Sequence, residues 1–110
     1  MGRQPGDRPG VADPATRLMR VRWTAEARSD LVRLYEFLAP ANRDAAARAV
    51  QSLRAAPAGL LLRNPRLGAR LEEFAPREVR RLFVGEYELR YEIRTEGVIV
   101  VRLWHTREDR

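Results

Sequence analysis

The chain holds one histidine, His105, and it stands two positions before an arginine in the stretch "WHTREDR" at 104–110. An imidazole with an unperturbed pKa near ~6.5 can take or give a proton at neutral pH. Metal-free cleavage of RNA needs such a group to activate a 2′-hydroxyl, cations to stabilise the phosphorane, and an acid for the leaving oxygen. In that chemistry His105 is the base, Arg80, Arg81 and Arg107 are the candidate cations, and Tyr87 or Tyr91 supplies a hydroxyl. The same residues have a plainer reading. A lone histidine after an apolar strand is a half-exposed terminator, and strand arginines are solvated or ion-paired.

Other chemistry is set aside by residue type. There is no cysteine, which excludes thiolate nucleophiles, thiolate metal sites and disulfides. No glycine-rich phosphate loop, HExxH motif or serine elbow is present, and Ser29 and Ser52 both fall inside helical patterns. Glu72 and Glu73 are adjacent, so their carboxylates point apart and belong to the surface. Neither a cofactor nor a metal is expected.

Charge narrows the partners. All 21 basic residues are arginine, and the formal net charge is +6. A genome rich in G and C accounts for the missing lysine. The physical consequence holds whatever the cause: each cation is a planar fork suited to carboxylate or phosphate, and none titrates near neutrality. A domain of this charge favours an acidic partner, protein or nucleic acid. No apolar run approaches the ~18 residues of a membrane span, and the first twenty residues lack a signal-peptide core. A soluble cytoplasmic protein without membrane contact is expected.

The elements that would position these residues follow from periodicity. Residues 1–18 carry three prolines and three glycines with almost no apolar pattern, the composition of a disordered arm. Met19 is the natural start of the folded domain, 19–110, and the alternative initiator. Val21 and Trp23 alternate with Arg20 and Arg22 as in a strand. Thr24 caps a helix whose stripe is Leu31, Leu34, Tyr35 and Leu38, stopped by Pro40. Asn42 caps a second, with Ala46, Ala49, Val50 and Leu53 repeating until Pro57, and the short loop makes an antiparallel helical hairpin. Residues 58–76 form a connector, with a short extra strand at Leu71–Phe74. Val79 to Val84 is a strand, and Gly85-Glu86 has the glycine-first form of a type II′ hairpin turn. "YELRYEI" places Tyr87, Leu89, Tyr91 and Ile93 on one face and Glu88, Arg90 and Glu92 on the other. After the Thr95-Glu96-Gly97 turn, Val98 to Trp104 is apolar enough for a central strand. The order β-α-α-β-β-β predicts an α+β, two-layer domain: a helical hairpin packed on a small, mostly antiparallel sheet.

That order, with "VRRLFVGEYELRYEIRTEGVIVVRLWHTRED", resembles the RelE/ParE superfamily of toxins from bacterial type II toxin–antitoxin systems. The shared elements are an arginine-led strand, a Gly-x-Tyr hairpin, a Tyr-x-hydrophobic strand and a terminal His-x-Arg, over roughly Arg20 to Asp109. The resemblance implies a small basic growth inhibitor, silenced by a cognate acidic antitoxin encoded beside it. Its ParE-like branch implies a non-enzymatic poison of DNA gyrase. Its RelE-like branch implies a metal-free endoribonuclease acting on ribosome-bound mRNA, with His105, Arg107 and Arg80 as the catalytic set.

The chain departs from the RelE-like pattern at the hairpin, where Phe83 and Val84 replace the expected arginine, and in having no lysine. Its well-formed helical hairpin is closer to the ParE-like branch. A ParE-like inhibitor is therefore expected, with Arg80, Arg81, Arg90 and Arg107 as contacts to target or antitoxin. The RelE-like ribonuclease is the alternative. A degenerate or plain nucleic-acid-binding module comes third, disfavoured because the aromatic residues are expected to face the core.

Overall fold

The computed structural model describes residues 20–109, so the expected arm at 1–18 and the start at Met19 lie outside the described residues. Strand β1, Arg20–Trp23, leads into helix α1, Ala25–Leu38, through Thr24. The Thr24 hydroxyl accepts the Ala27 amide proton at 3.0 Å, satisfying one of the orphan donors of the first turn. Helix α2 spans Arg43–Leu61, and the Asn42 side chain accepts from the Ala45 amide at 2.9 Å. Both caps follow the sequence expectation.

The end of α2 does not. The helix continues through Pro57 to Leu61. Proline removes one hydrogen bond and crowds the preceding turn, but the Pro57 ring and Leu61 are both buried here, and that burial offsets the loss. The connector also differs from expectation. The extra strand, β2, is Ala69–Arg70, while Glu72–Phe74 forms a 3-10 turn rather than part of a strand. The turn lets Glu72 and Glu73 both reach solvent, which a strand with one face against the protein would not.

Strands β3 (Glu78–Val84), β4 (Tyr87–Arg94) and β5 (Gly97–His105) complete a sheet of order β1-β5-β4-β3-β2. Only the β1–β5 pair is parallel. Gly85 opens the β3–β4 turn with φ 61°, the left-handed value a Gly-first hairpin requires. The apolar strand β5 is central, between β1 and β4. The architecture is the expected α+β two-layer one.

Register assigns the faces. Tyr87, Leu89, Tyr91 and Ile93 pair with His105, Leu103, Val100 and Val98 and meet the helices. Leu31 and Leu34 of α1 and Leu53 and Leu61 of α2 close this core. An irregularity between Arg90 and Tyr91 adds one residue, Val101, to β5, the signature of a bulge. The opposite face is open along most of its length. At one end the segment 71–77 folds beneath it, bonding the Leu71 amide to the Val79 carbonyl at 2.8 Å.

Candidate functional site

His105 points to the helix side of the sheet and is 4% exposed. Its ring meets Tyr87 edge-on at 5.0 Å and Phe37 at 5.4 Å between centroids. Nδ1 accepts the Arg107 amide proton at 3.0 Å, so the neutral ring carries its own proton on Nε2. That nitrogen faces Glu86 Oε1 at 3.4 Å, and the same oxygen takes Arg107 Nη2 at 3.2 Å. The Thr106 amide bonds the Glu86 carbonyl at 2.8 Å. Both imidazole nitrogens thus have partners within the chain, and the ring acts as a clasp between the tail and the β3–β4 turn.

Arg80 is not brought to this cluster. It shares the helix-side face but pairs with Tyr91, four residues along β4 from the Tyr87–His105 pair, roughly 13 Å at ~3.3 Å per residue. Its donors go to Glu78 Oε2 at 2.9 Å and the Gly68 carbonyl at 2.6 Å. Tyr91 ties down the same loop: its hydroxyl donates to the Pro65 carbonyl at 2.6 Å and accepts from the Gly68 amide at 2.9 Å. Burial pushes the Tyr91 phenol up, and its hydroxyl is already committed to this loop as donor and acceptor.

Arg81 and Arg90 lie on the opposite, open face, directly across from each other, and Arg102 of β5 extends the pair to a row of three. Aromatic rings accompany the row. The Arg81 guanidinium lies 5.5 Å from the Phe83 centroid, and those of Arg90 and Arg102 each lie 4.8 Å from that of Trp104. Phe83 and Trp104 therefore belong to the open face, correcting the expectation that the aromatics face the core. The sequence signal was the two-residue period that ties Phe83 to Arg81 and Trp104 to Arg102. In a mostly apolar central strand it does not reveal which set faces outward.

The tail and the edge of β5 are held by a charged network. Beyond Trp23, β1 no longer pairs with β5, and side chains take over the exposed backbone groups. Thr24 Oγ1 donates to the Val101 carbonyl at 3.1 Å, and Asp30 accepts the Leu103 amide at 2.8 Å. Arg33 donates to the Leu103 carbonyl at 2.7 Å, and Glu108 accepts the His105 amide at 2.8 Å. Arg33 also binds both Asp30 and Glu108, while Arg102 reaches Asp30 at 2.8 Å. Burial raises the Asp30 carboxyl, but hydrogen bonds from Arg102, the Leu103 amide and Arg33 outweigh it and hold the group below the ordinary carboxylate range. The Arg33 hydrogen bond lowers Glu108 likewise, against burial.

A groove of about 730 Å³ runs between the two helices and β1. Trp23, Val32, Tyr35 and Val50 supply its apolar lining, with the exposed Arg28 and Arg54 among them. Val32 is 59% exposed, with Arg28 and Glu36 one turn away on either side. Among the described residues no three His, Cys, Asp or Glu side chains gather as metal ligands would, and no helix is long and apolar enough to cross a membrane.

A family model described as the ParE toxin of type II toxin-antitoxin system, parDE, matches residues 21–110. A solved structure described as the chromosomal ParDE TA system from P. aeruginosa aligns with a TM-score of 0.65 at 21% identity, covering 80% of this chain and 96% of that one. At that identity the likeness speaks for the fold. A comparison with curated proteins found no match.

Proposed function

Given that the chain belongs to the ParE toxin family of type II toxin–antitoxin systems, we propose that it inhibits DNA gyrase by binding, without catalysis, in the cytoplasm, and that an acidic antitoxin neutralises it. The observation that carries the non-catalytic reading is the state of His105. It is buried, its Nδ1 accepts a backbone proton, and its Nε2 faces Glu86. A general base must come within hydrogen-bond reach of the proton it removes, and this ring is enclosed on the side away from the open arginines. Arg80 is engaged with Glu78 and the Gly68 carbonyl, so the three-residue catalytic set of a RelE-like ribonuclease has no common centre.

The antitoxin's place is the helical groove. Its apolar floor and exposed arginines suit an amphipathic helix with carboxylates along its margins. Arg107, exposed and lightly tied to Glu86, is a further contact at the tail.

The discriminating experiment adds purified protein to two systems. With gyrase and plasmid DNA, supercoiling should be inhibited, and antitoxin should restore it. With translating ribosomes, mRNA should remain intact. Cleaved transcripts with undisturbed gyrase would reverse the assignment to the RelE-like branch.

A further inference from the structure

His105 has a partner at each ring nitrogen, and only one of the two contacts survives a proton. Nδ1 accepts the Arg107 amide at 3.0 Å. An imidazolium has a donor on both nitrogens and no acceptor, so a proton on Nδ1 sets two hydrogens against each other. The Nε2 side responds in the opposite sense. It faces Glu86 Oε1 at 3.4 Å, and charge on the ring turns that contact into an ion pair. The same oxygen takes Arg107 Nη2 at 3.2 Å, so a charged ring repels the guanidinium and competes with it for one carboxylate. Protonation thus acts on Arg107 twice in the same direction.

The charged groups around the ring leave this response to the imidazole. Imidazole is the side chain whose ordinary titration falls between about pH 5 and 8. From the tail, Glu108 is held below the ordinary carboxylate range by Arg33 of α1 and keeps its charge. From β4, burial and then Glu86 push the Tyr87 phenol up, so it stays neutral. From α1, Phe37 brings a ring without charge. The rest of the tail is held by bonds that do not involve the imidazole: the Thr106 amide to the Glu86 carbonyl at 2.8 Å, the Glu108 amide to the His105 carbonyl at 3.0 Å, and Glu108 to Arg33. Loosening is therefore confined to Arg107, which is 76% exposed at its side chain.

We propose that His105 is a proton-operated latch on the tail: the neutral ring fixes Arg107, and the protonated ring releases it and takes Glu86 for itself. The latch is a property of the chain alone. Its bearing on a partner rests on the reading of Arg107 as a contact. On that reading the contact is stronger with the ring neutral, because a side chain already fixed loses less freedom on association.

The test is NMR of the full isotope-labelled chain, without gyrase or antitoxin, across the range from about pH 8 to 5 in which imidazoles titrate. At the upper end a nitrogen–nitrogen coupling across the hydrogen bond should link the Arg107 amide to Nδ1. As the ring titrates, the coupling should vanish. Protection of the Arg107 amide against hydrogen exchange, taken relative to the unstructured rate at each pH, should fall by about tenfold, the worth of one hydrogen bond, while β4 amides keep theirs. His105→Asn keeps an acceptor and does not titrate, so protection there should stay level. Glu86→Gln should retain the fall but move it to lower pH, since the imidazolium has lost its carboxylate. A ring that stays neutral throughout would overturn the proposal. So would level protection at Arg107 while the ring titrates, a fall that persists in His105→Asn, or a midpoint that Glu86→Gln does not lower. Any of these would leave the ParE-like reading standing, and gyrase left undisturbed in the assay above would remove that reading and leave the latch.

Discussion

The Asp30 carboxylate accepts the Leu103 amide proton at 2.8 Å and so occupies the place that a neighbouring strand would have held. β1 ends at Trp23, and without Asp30 the central strand would show a bare edge inside the fold. The same carboxylate takes Arg102 at 2.8 Å and also binds Arg33, which makes one residue the junction of α1, β5 and the tail.

Asp30→Ala should lower stability by about 2–3 kcal/mol, because it strands a buried backbone donor and releases two arginines. For a domain of this size that is a fall of roughly 10–20 °C in melting temperature, read by calorimetry. Asp30→Asn, which keeps an acceptor for Leu103, should lose less than half as much. Equal losses in the two variants would show that charge, not the strand-edge bond, is what matters.

Acid should weaken the fold in a defined window. Asp30, Glu78, Glu92 and Glu108 are all held below the ordinary carboxylate range in the folded state. Their contribution is complete above the unfolded values of about 4 and is lost as pH falls through the depressed folded ones. The melting temperature should be level from pH 7 to about 5 and drop steadily below about 4. Asp30→Asn should flatten that drop.

His105→Asn should leave growth inhibition intact, since the Asn side-chain oxygen can accept the Arg107 amide proton as Nδ1 does. A general base lost at this position would instead cost about 10²–10⁴ in rate. Growth after induction, alongside a melting curve, separates the two: a folded but harmless variant would speak for acid–base chemistry.

Gly97→Ala should detach β1. Gly97 has φ 145°, and a Cβ there would lie 2.1 Å from the Arg20 carbonyl oxygen. Backbone cannot yield that much, so strain of about 1–3 kcal/mol or more is expected. Hydrogen exchange should quicken at Arg20–Trp23 while β4 amides stay protected. Uniform protection would mean the strand pair adapts.

Val32→Glu should spare the fold and impair neutralisation. The side chain is already exposed, so little stability is at stake, but a carboxylate in the groove would repel an acidic helix and remove an apolar contact. Antitoxin affinity should fall at least tenfold by calorimetry, with the melting temperature within a few degrees of the parent. Unaltered affinity would move the antitoxin off the helical hairpin.

The sequence carried the elements better than their junctions. Thr24 and Asn42 are legible as caps because a side-chain oxygen before an apolar stripe has one favourable use, and "YELRYEI" is legible because its alternation never breaks. The true end of α2 was hidden, since Pro57 is a stop signal only when nothing beyond it needs burial, and Leu61 does. The site was harder. Which arginine of the Arg80-Arg81 pair faces outward depends on which face of the sheet the helices cover, a tertiary fact that one strand does not contain. Arg102 is not legible as a neighbour of Arg90, because a bulge at Val101 shifts the register between them. His105 was legible as chemistry and as a terminator alike, and only its burial and the Arg107 amide separate them.

The parallel pairing of the first and last described strands also sets the order of events at birth. Thr24 bonds a residue 77 positions further along, and contacts so distant in sequence are slow to form. A ribosome that has released α1 and α2 but not yet β5 holds a helical hairpin whose apolar side has no complete sheet to rest on. β5, which both flanking strands need, is made after every other described element. The sheet therefore waits for β5, and an antitoxin has that interval in which to arrive first.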